Sequence, residues 1–217
     1  ISPDGNYLYA SSFSVSVNAI HRYTIDPATG YLSNYTVMNS QGTGNFGWVI
    51  SPDGLFLYQC LYITNQVSAY SRDIDTGTLT HIGTVSAGVN PSYCALSPSG
   101  TYLYVSNYGD IPGPYTIVKY SRDLNTGALS SPVYIDTPAR PSGIVISSDN
   151  KFLYCAMYAA DCINVYSINS STGALTYYSN IATGTQPYTL TMSSDDNNIY
   201  GVNTSANTVQ QYKRSRA

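Results

Sequence analysis

The stretch Ile50-Ser-Pro-Asp-Gly54 decides the fold of this chain, because it recurs at regular intervals. The same five residues open the chain at Ile1, and related stretches begin at Leu96, Ile146 and Met192. Successive copies start 46 to 50 residues apart, a period that is typical of propeller blades. The sequence therefore predicts a repeat architecture whose unit is one blade.

Each repeat divides into short strands, A to D, and two of the connections between them are recurring turns. In the A–B turn, proline presets φ, aspartate binds nearby backbone N–H groups and glycine accepts a positive φ. Strand B follows with an aromatic and apolar pattern such as Phe56-Leu-Tyr58. Strand C ends on a tyrosine such as Tyr70, and the C–D turn follows as Asp73-Ile-Asp-Thr-Gly77. Since no segment shows helical periodicity, each repeat is interpreted as one antiparallel sheet.

These repeats predict an all-β fold, a β-propeller of four-stranded antiparallel blades. Packing the sheets radially buries their faces and leaves only short edges. We expect residues 1–217 to form a single propeller domain with about five blades, of which the first lacks strand A and the last lacks strand D. The chain could be a fragment of a longer ring, for example a seven-bladed one, or its unfinished blades could self-associate with another copy. The first explanation is favoured.

The composition indicates a neutral surface that is rich in hydroxyl groups. Charged residues make up 10% of the chain, below the roughly 25% that is usual in soluble domains, while tyrosine occurs 23 times. The net charge is -3 and Lys and Arg form no basic run, so we expect no nucleic-acid partner. No apolar stretch is long enough for a membrane span. We also expect no cofactor.

The cysteines and acidic residues do not predict a metal site. None of the four cysteines forms a C-x-x-C pair or has a nearby histidine, as a zinc site would require. The Asp73-x-Asp75-x-Gly77 run lacks the later acidic ligands of a calcium loop and is interpreted as a turn. Cys155 and Cys162 flank a predicted turn and could form a disulfide, whereas Cys60 and Cys94 fall in neighbouring repeats. Four buried free thiols are the alternative.

Two longer patterns resemble the lactonase-type seven-bladed propellers, a family that includes bacterial 6-phosphogluconolactonase and the fungal carboxymuconate-lactonising enzymes. They are Ser-Pro-Asp-Gly-x-x-Leu-Tyr from Ser2 to Tyr9 and Tyr-x-Ile-Asp-x-x-Thr-Gly-x-Leu from Tyr23 to Leu32. For the enzymatic members, the resemblance implies a Gly-Pro-Arg-His signature at strand A, with further arginine and acidic residues over the channel. The matching places here contain no histidine, and only Ala139-Arg-Pro-Ser-Gly143 contains a cation. We therefore predict no catalytic residues.

The B–C and D–A loops should share one face of the disc, here called the variable loop face, since their sequences differ between repeats. Propellers commonly bind partners on such a face, so we predict a protein or carbohydrate partner there; a solvated channel without ligand is the alternative. His21 and His81 lie outside the predicted rim. The B–C loops are residues 11–18, 62–66, 108–115 and 158–161. The channel rim should contain Asn45, Trp48, Asn90, Tyr93, Arg140, Gln186 and Tyr188.

Three Asn-x-Ser/Thr triplets, at Asn34, Asn169 and Asn203, predict N-glycosylation. With the low charge, they favour an extracellular or cell-surface location. The first functional prediction is a non-catalytic structural or binding propeller, a unit of a larger assembly. One alternative is a divergent lactonase-type enzyme with its active site at the channel rim, using Arg140. The other is a lectin-like carbohydrate-binding module that uses the aromatic rim.

Overall fold

The computed structural model describes residues 1–13, 18–110 and 113–214. Blade one contains β1 (Tyr7–Ser11), β2 (Ala19–Ile25) and β3 (Leu32–Asn39). Blade two contains β4 (Asn45–Ile50), β5 (Phe56–Leu61), β6 (Gln66–Arg72) and β7 (Leu79–Ser86). Blade three contains β8 (Pro91–Leu96), β9 (Tyr102–Asn107), β10 (Thr116–Arg122) and β11 (Leu129–Asp136). Blade four contains β12 (Pro141–Ile146), β13 (Phe152–Met157), β14 (Cys162–Ile168) and β15 (Leu175–Ala182). Blade five contains β16 (Pro187–Met192), β17 (Asn198–Asn203) and β18 (Thr208–Lys213).

The strands of each blade pair antiparallel with their neighbours in the chain. Blades two, three and four have four strands, whereas blade one starts at strand B and blade five stops at strand C in the described ranges. The prediction of an all-β propeller with five blades, the first and last incomplete, is confirmed. Within the residues that the structure describes, no helix is long and apolar enough to cross a membrane.

The A–B turn forms because its own side chains bind the backbone that they reverse. In blade two, the Ser51 hydroxyl bonds to the Asp53 carboxylate and accepts a hydrogen bond from the Phe56 backbone N–H at 3.0 Å. The same carboxylate accepts the Leu55 N–H at 2.9 Å. The turn therefore fixes where strand B begins, and the other blades use equivalent contacts.

The hydrophobic core lies between the blades. Each of four clusters combines side chains from one blade with those of the next. In the cluster between blades two and three, Phe56, Tyr58 and Cys60 of β5 face Cys94 of β8 and Val105 of β9. The inner strands β4, β8, β12 and β16 lie side by side around the centre. This radial packing buries both faces of the middle blades.

A buried arginine bridges three of the four interfaces between blades. At the end of strand C in blade three, Arg122 binds Asp53 of blade two at 2.9 Å. The Arg122 Nε also donates to the Tyr58 hydroxyl at 2.7 Å, and that hydroxyl donates to the Gly127 carbonyl at 2.8 Å. We call this arrangement the arginine bridge. The corresponding ion pairs elsewhere are Arg72 with Asp4, and Arg214 with Asp149 and Asp196.

All four cysteines are free thiols, so the suggested disulfide between Cys155 and Cys162 is not formed. The strand register gives the reason. Cys155 lies opposite Asn164 and Cys162 lies opposite Met157, so the two cysteines are diagonal neighbours across the hairpin. Diagonal Cβ atoms are about 7–8 Å apart or slightly less, whereas a disulfide requires about 3.5–4.5 Å.

Candidate functional site at the channel rim

Three aromatic rings from the inner strands meet at the centre of the propeller. Phe46 on β4 lies 5.4 Å from Tyr93 on β8 and 6.3 Å from Tyr188 on β16, between ring centroids. Tyr93 and Tyr188 are 5.9 Å apart. All three contacts are edge-to-face, the favourable geometry for aromatic pairs. We call these three residues the central aromatic cluster; it joins blades two, three and five.

A β-bulge at the start of each inner strand helps to aim these rings. The A–B register shifts between Asn45 and Trp48 in blade two, between Pro91 and Tyr93 in blade three, and similarly in blades four and five. A bulge changes the direction in which neighbouring side chains point. The rings of Phe46, Tyr93 and Tyr188 can therefore contact one another, although they do not all occupy the same position of their strands.

Aromatic residues of the B–C loops extend the cluster on both sides. Tyr62 contacts Phe46 at 5.7 Å, and Phe13 packs edge-on against both of those rings. On the other side, Tyr158 lies 6.0 Å from Tyr188 and 5.4 Å from Tyr108. The variable loop face thus carries a continuous aromatic surface from blade one to blade four.

A cleft of about 580 Å³ opens beside the central aromatic cluster. It lies along the inner edge of β1, which has no strand A beside it in the described ranges, and Trp48, Tyr93 and Phe46 form part of its wall. A second cleft of about 340 Å³ is also lined by Tyr9 and Trp48. The larger cleft is a suitable size for a small organic ligand, and its wall combines aromatic side chains with Ser11 and Asn45.

The only cation among the predicted rim residues, Arg140, is held by two tyrosines. Its guanidinium carbon lies 4.9 Å from the centre of the Tyr108 ring and 6.0 Å from that of Tyr115. Burial alone would lower the pKa of Arg140, but its hydrogen bonds to Tyr115 and Tyr108 outweigh burial and raise the pKa. Arg140 is therefore a fixed positive charge at the rim, with part of its surface open to solvent.

The tyrosines beside the cleft are neutral hydroxyl groups at neutral pH. Burial raises the pKa of Tyr188, and the neighbouring tyrosines raise it further. Burial also raises the pKa of Tyr93, although a hydrogen bond with Thr189 opposes this shift. Such hydroxyls can donate or accept hydrogen bonds to a ligand, but they cannot act as bases near pH 7.

The structure places the predicted rim residues in different settings. Trp48, Tyr93 and Tyr188 lie at the cleft or in the central aromatic cluster. Gln186 accepts a hydrogen bond from Tyr158 at 2.8 Å, so it joins the aromatic surface. The backbone N–H of Asn90 donates to Asn65 at 2.8 Å, and nothing brings Asn90 to the cleft.

Asn45 lies in the wall of the larger cleft, although its position in the blade differs from that of Asn90, Arg140 and Gln186. It occupies the first position of strand A, where the other blades have Pro91, Pro141 and Pro187. Its side chain is 2% exposed and accepts a hydrogen bond from Ser40 at 2.7 Å. The position equivalent to Asn90, Arg140 and Gln186 is Gly44. Asn45 therefore supports the start of the strand and also lines the cleft.

Neither histidine lines the cleft: His21 is on strand C of blade one and His81 is on strand D of blade two. His21 on β2 is 2.8 Å from the Tyr35 hydroxyl, and His81 on β7 is 2.9 Å from the Thr84 hydroxyl. The Asp73 carboxylate accepts the backbone N–H groups of its own turn, which is the turn chemistry expected from the sequence.

The three glycosylation triplets differ in accessibility. Asn34 and Asn169 are exposed, and modification there stays a prediction, as does the extracellular location. Asn203 is only 1% exposed, because it lies at the end of β17 and its amide donates to Thr208 and Gln210. The expectation that Asn203 is accessible is wrong.

The predicted rim lacked five aromatic residues that build this surface, Phe13, Phe46, Tyr62, Tyr108 and Tyr158. Phe46 is part of the strand-A segment of blade two, but its ring was not assigned to the rim. Tyr62, Tyr108 and Tyr158 each follow strand B directly, at the same position of blades two, three and four. That recurrence was the available signal. Residues 14–17 and 111–112 of two predicted B–C loops lie outside the described residues.

Comparison with known proteins identifies the family. The sequence profile described as "Lactonase, 7-bladed beta-propeller" matches residues 1–86 and 116–217. The chain belongs to this lactonase family. A 6-phosphogluconolactonase of Formosa agariphila is 32% identical over 79 residues, which is 36% of this chain and 22% of that protein.

Solved structures of similar proteins agree with this lactonase-family fold. A candidate 6-phosphogluconolactonase from Bacteroides fragilis matches with a TM-score of 0.76 and 27% identity, over 86% of this chain and 54% of that chain. A second candidate, from Bacteroides uniformis, has a TM-score of 0.73 and 19% identity over 98% and 79% of the two chains. This lactonase-family chain thus spans about half of the first of these structures and 22% of the curated relative.

These comparisons correct the functional prediction. The sequence favoured a non-catalytic structural or binding propeller because of its low charge, many tyrosines, three glycosylation triplets and two unfinished blades, and because strand A lacks the histidine of the expected signature. That prediction is wrong, since the similar proteins carry the names of lactonases. The comparisons support the alternative, a lactonase-type enzyme.

Proposed function

We propose that this protein is a lactonase-type hydrolase whose active site lies at the channel rim of the variable loop face. The family match over most of the chain carries this proposal. Two features of this face support the location: the cleft with its aromatic wall, and the positive charge of Arg140, whose partner Tyr108 is connected through Tyr158 and Tyr188 to the central aromatic cluster.

The reaction would add water to the ester carbonyl of a lactone. The water oxygen bonds to the carbonyl carbon, and negative charge develops on the carbonyl oxygen. The ring C–O bond then breaks and the ring oxygen takes a proton, which leaves a hydroxy acid. A fixed donor near the carbonyl oxygen stabilises this developing charge. Arg140 is the group to which we assign this role.

The charge of the rim suggests the kind of lactone. Phosphate groups are usually bound by several arginine or lysine donors, but Arg140 is the only cation among the seven rim residues predicted from the sequence. Sugar rings, in contrast, suit a wall of aromatic and neutral hydrogen-bonding groups. We therefore propose that an unphosphorylated sugar lactone is preferred to 6-phosphogluconolactone.

Lactone hydrolysis by the full-length protein tests this function. We expect gluconolactone to be opened faster than the uncatalysed background and faster than its 6-phosphate ester. Arg140→Gln should lower kcat/KM by about a hundredfold, as removal of an oxyanion donor does. Arg22→Gln is the matched control, because Arg22 also lies over a tyrosine ring but on an outer strand.

Two results would contradict the proposal. A wild-type rate equal to background for both lactones would exclude the activity. Unchanged hydrolysis by Arg140→Gln, with the Arg22→Gln control also active, would place the reaction elsewhere in the protein. A faster rate with the phosphate ester would keep the activity and reject the proposed substrate preference.

A further inference from the structure

Cys60 and Cys94 face each other across the interface between blades two and three. Cys60 lies on β5 of blade two and is 0% exposed, and Cys94 lies on β8 of blade three and is 9% exposed. Both belong to the same core cluster. The Cys94 sulfur lies 3.8 Å from the carbonyl oxygen of Tyr58, two residues before Cys60 on the same strand.

The repeat shows that this juxtaposition is built into every interface. The position of Cys60 is taken by Ser106 in blade three and Ala156 in blade four. The position of Cys94 is taken by Ile144 in blade four and Leu190 in blade five. The other interfaces therefore pair a small side chain with a large apolar one. Only the interface between blades two and three has two cysteines there.

Cys94 also affects the ionisation of the Cys60 thiol. The pKa of Cys60 is raised well above its usual range, first by burial and then by its hydrogen bond and charge interaction with Cys94. An isolated pair of buried thiols gains little from being adjacent. Adjacent thiols can, however, react together when an oxidant reaches one of them.

The larger rim cleft gives an oxidant access to one thiol of this pair. Cys94 lies in the wall of the 580 Å³ cleft beside Tyr93 and Trp48. We propose that Cys60 and Cys94 form a disulfide between blades two and three when the protein meets a small-molecule disulfide. Cys94 lines the same cleft as the proposed lactonase site, but formation of this disulfide does not require lactonase activity.

The chemistry balances with oxidised glutathione as the oxidant. The Cys94 thiolate attacks one glutathione sulfur, forms a mixed disulfide and releases glutathione thiolate. The Cys60 thiolate then attacks the Cys94 sulfur and releases the second glutathione. The two cysteine protons pass to the departing thiolates, so two cysteine thiols are oxidised and one glutathione disulfide is reduced.

Peptide mapping of the folded full-length protein tests the pair. Trypsin cleaves after Arg72, which separates Cys60 from Cys94 into different peptides. After treatment with oxidised glutathione, we expect one disulfide-linked peptide containing both cysteines, which a reductant separates. We also expect the melting temperature to rise by about 5–10 °C on oxidation, since the bond joins two blades.

Three variants define the outcome. Cys60→Ser copies blade three and Cys60→Ala copies blade four, so at least one should fold; both should abolish the linked peptide and the thermal shift. Cys155→Ser should retain both, because that cysteine lies at another interface. Wild-type protein that stays folded in oxidised glutathione yet yields no linked peptide would overturn the proposal. So would glutathione found on Cys94 without closure onto Cys60.

Discussion

The interface between blades two and three differs from that between blades three and four in its charged groups, as well as in its cysteine pair. Both contain the same tyrosine contact, from Tyr58 to the Gly127 carbonyl and from Tyr104 to the Gly173 carbonyl, each at 2.8 Å. Only the first also contains an arginine bridge. At the second, the positions of the aspartate and the arginine are taken by Ser99 and Ile168.

The two substitutions at the second interface compensate each other. Ser99 keeps the turn function of the aspartate, since its hydroxyl accepts the Thr101 N–H at 3.3 Å. Ile168 is 9% exposed and joins the apolar cluster of that interface. The second interface thus lacks both the carboxylate and the guanidinium, so neither group is buried there without its partner. Replacing both ions by neutral groups is far less costly than removing one.

The difference also affects the shared tyrosines. Burial raises the pKa of Tyr58 to about 12, while Arg122 opposes the shift. Burial also raises the pKa of Tyr104, but there no arginine contributes. The hydrogen bond from the tyrosine hydroxyl to the turn glycine therefore forms at both interfaces, with or without the arginine bridge.

The largest loss of stability should come from replacing the glycine of the C–D turn, which both interfaces share. Gly127 has a φ of +72°, and a Cβ added there would lie 2.2 Å from the buried Phe56 ring. We expect Gly127→Ala to lower the free energy of unfolding by about 3–4 kcal/mol, from a left-handed alanine and the clash together. Urea denaturation of the purified protein measures this value.

The matched control is Gly30, in the same turn of blade one. It has a φ of +73° with no atom within 4 Å of an added Cβ, so Gly30→Ala should cost only about 1–2 kcal/mol. The difference between the two variants is the packing of the turn against the neighbouring blade. Equal losses would show that the interface tolerates the methyl group and that packing at this turn is loose.

An intermediate loss of stability should follow when Asp53 and Arg122 are replaced by the residues found at the next interface, serine and isoleucine. Arg122→Ile leaves a carboxylate without its partner, and Asp53→Ser leaves a guanidinium that is 0% exposed. We expect each single variant to lose about 2–3 kcal/mol, and the double variant to lose about 1–2 kcal/mol less than the sum. A double-mutant cycle in urea measures this coupling.

Arg22→Ile is the control for general loss of arginine. Arg22 binds the Thr76 carbonyl and the Thr78 hydroxyl at an exposed surface, so its loss should cost less than about 1 kcal/mol. Strict additivity of the two substitutions at Asp53 and Arg122 would mean that the bridge contributes no interaction energy. The comparison between interfaces would then lose its physical basis.

The sequence predicted the architecture because each turn carries its own chemistry. Proline, aspartate and glycine fix the A–B turn locally, so the repeat spacing was enough to place every strand and both incomplete blades. The arginine bridge was less visible, since Arg122 and Asp53 are 69 residues apart in the chain. Only the parallel exchange to Ser99 and Ile168 at the next interface indicated that these positions are paired.

The candidate site was predicted less well than the fold, because it depends on contacts between distant blades. Asn45 lines the cleft but does not align with Asn90, Arg140 and Gln186, because blade two has no proline to mark the start of strand A. Phe46 was missed because a bulge, which no residue type announces, directs its ring to the centre. The recurring tyrosine after strand B could have been recognised.

The smallest effect should appear in the acid stability of the same variants. Burial alone would raise the pKa of Asp53, but its hydrogen bonds with Ser51, Leu55 and Arg122 outweigh burial and lower the pKa from its usual value of 3.8. Burial is likewise outweighed at Asp149, where Ser147 and Arg214 lower the pKa to about 2. A lowered pKa stabilises the fold above the unfolded value, and this contribution is lost as the pH falls through the folded value.

We therefore expect the free energy of unfolding to decrease as the pH falls from about 4 to about 2. The double variant Asp53→Ser/Arg122→Ile should lose about 0.5–1 kcal/mol less than wild type over this range, because the carboxylate that it lacks is partly exposed and screened. Denaturant titrations at several pH values measure the two slopes. The remaining dependence should come from Asp4 and Asp149, whose bridges are intact in the variant, and from the turn aspartates Asp26, Asp73 and Asp123, whose pKa values are also lowered by backbone N–H groups. If the free energy of unfolding changed with pH equally in the two proteins, Asp53 would have the same pKa in the folded and unfolded chains. The ion pair with Arg122 would then contribute no stability in this pH range.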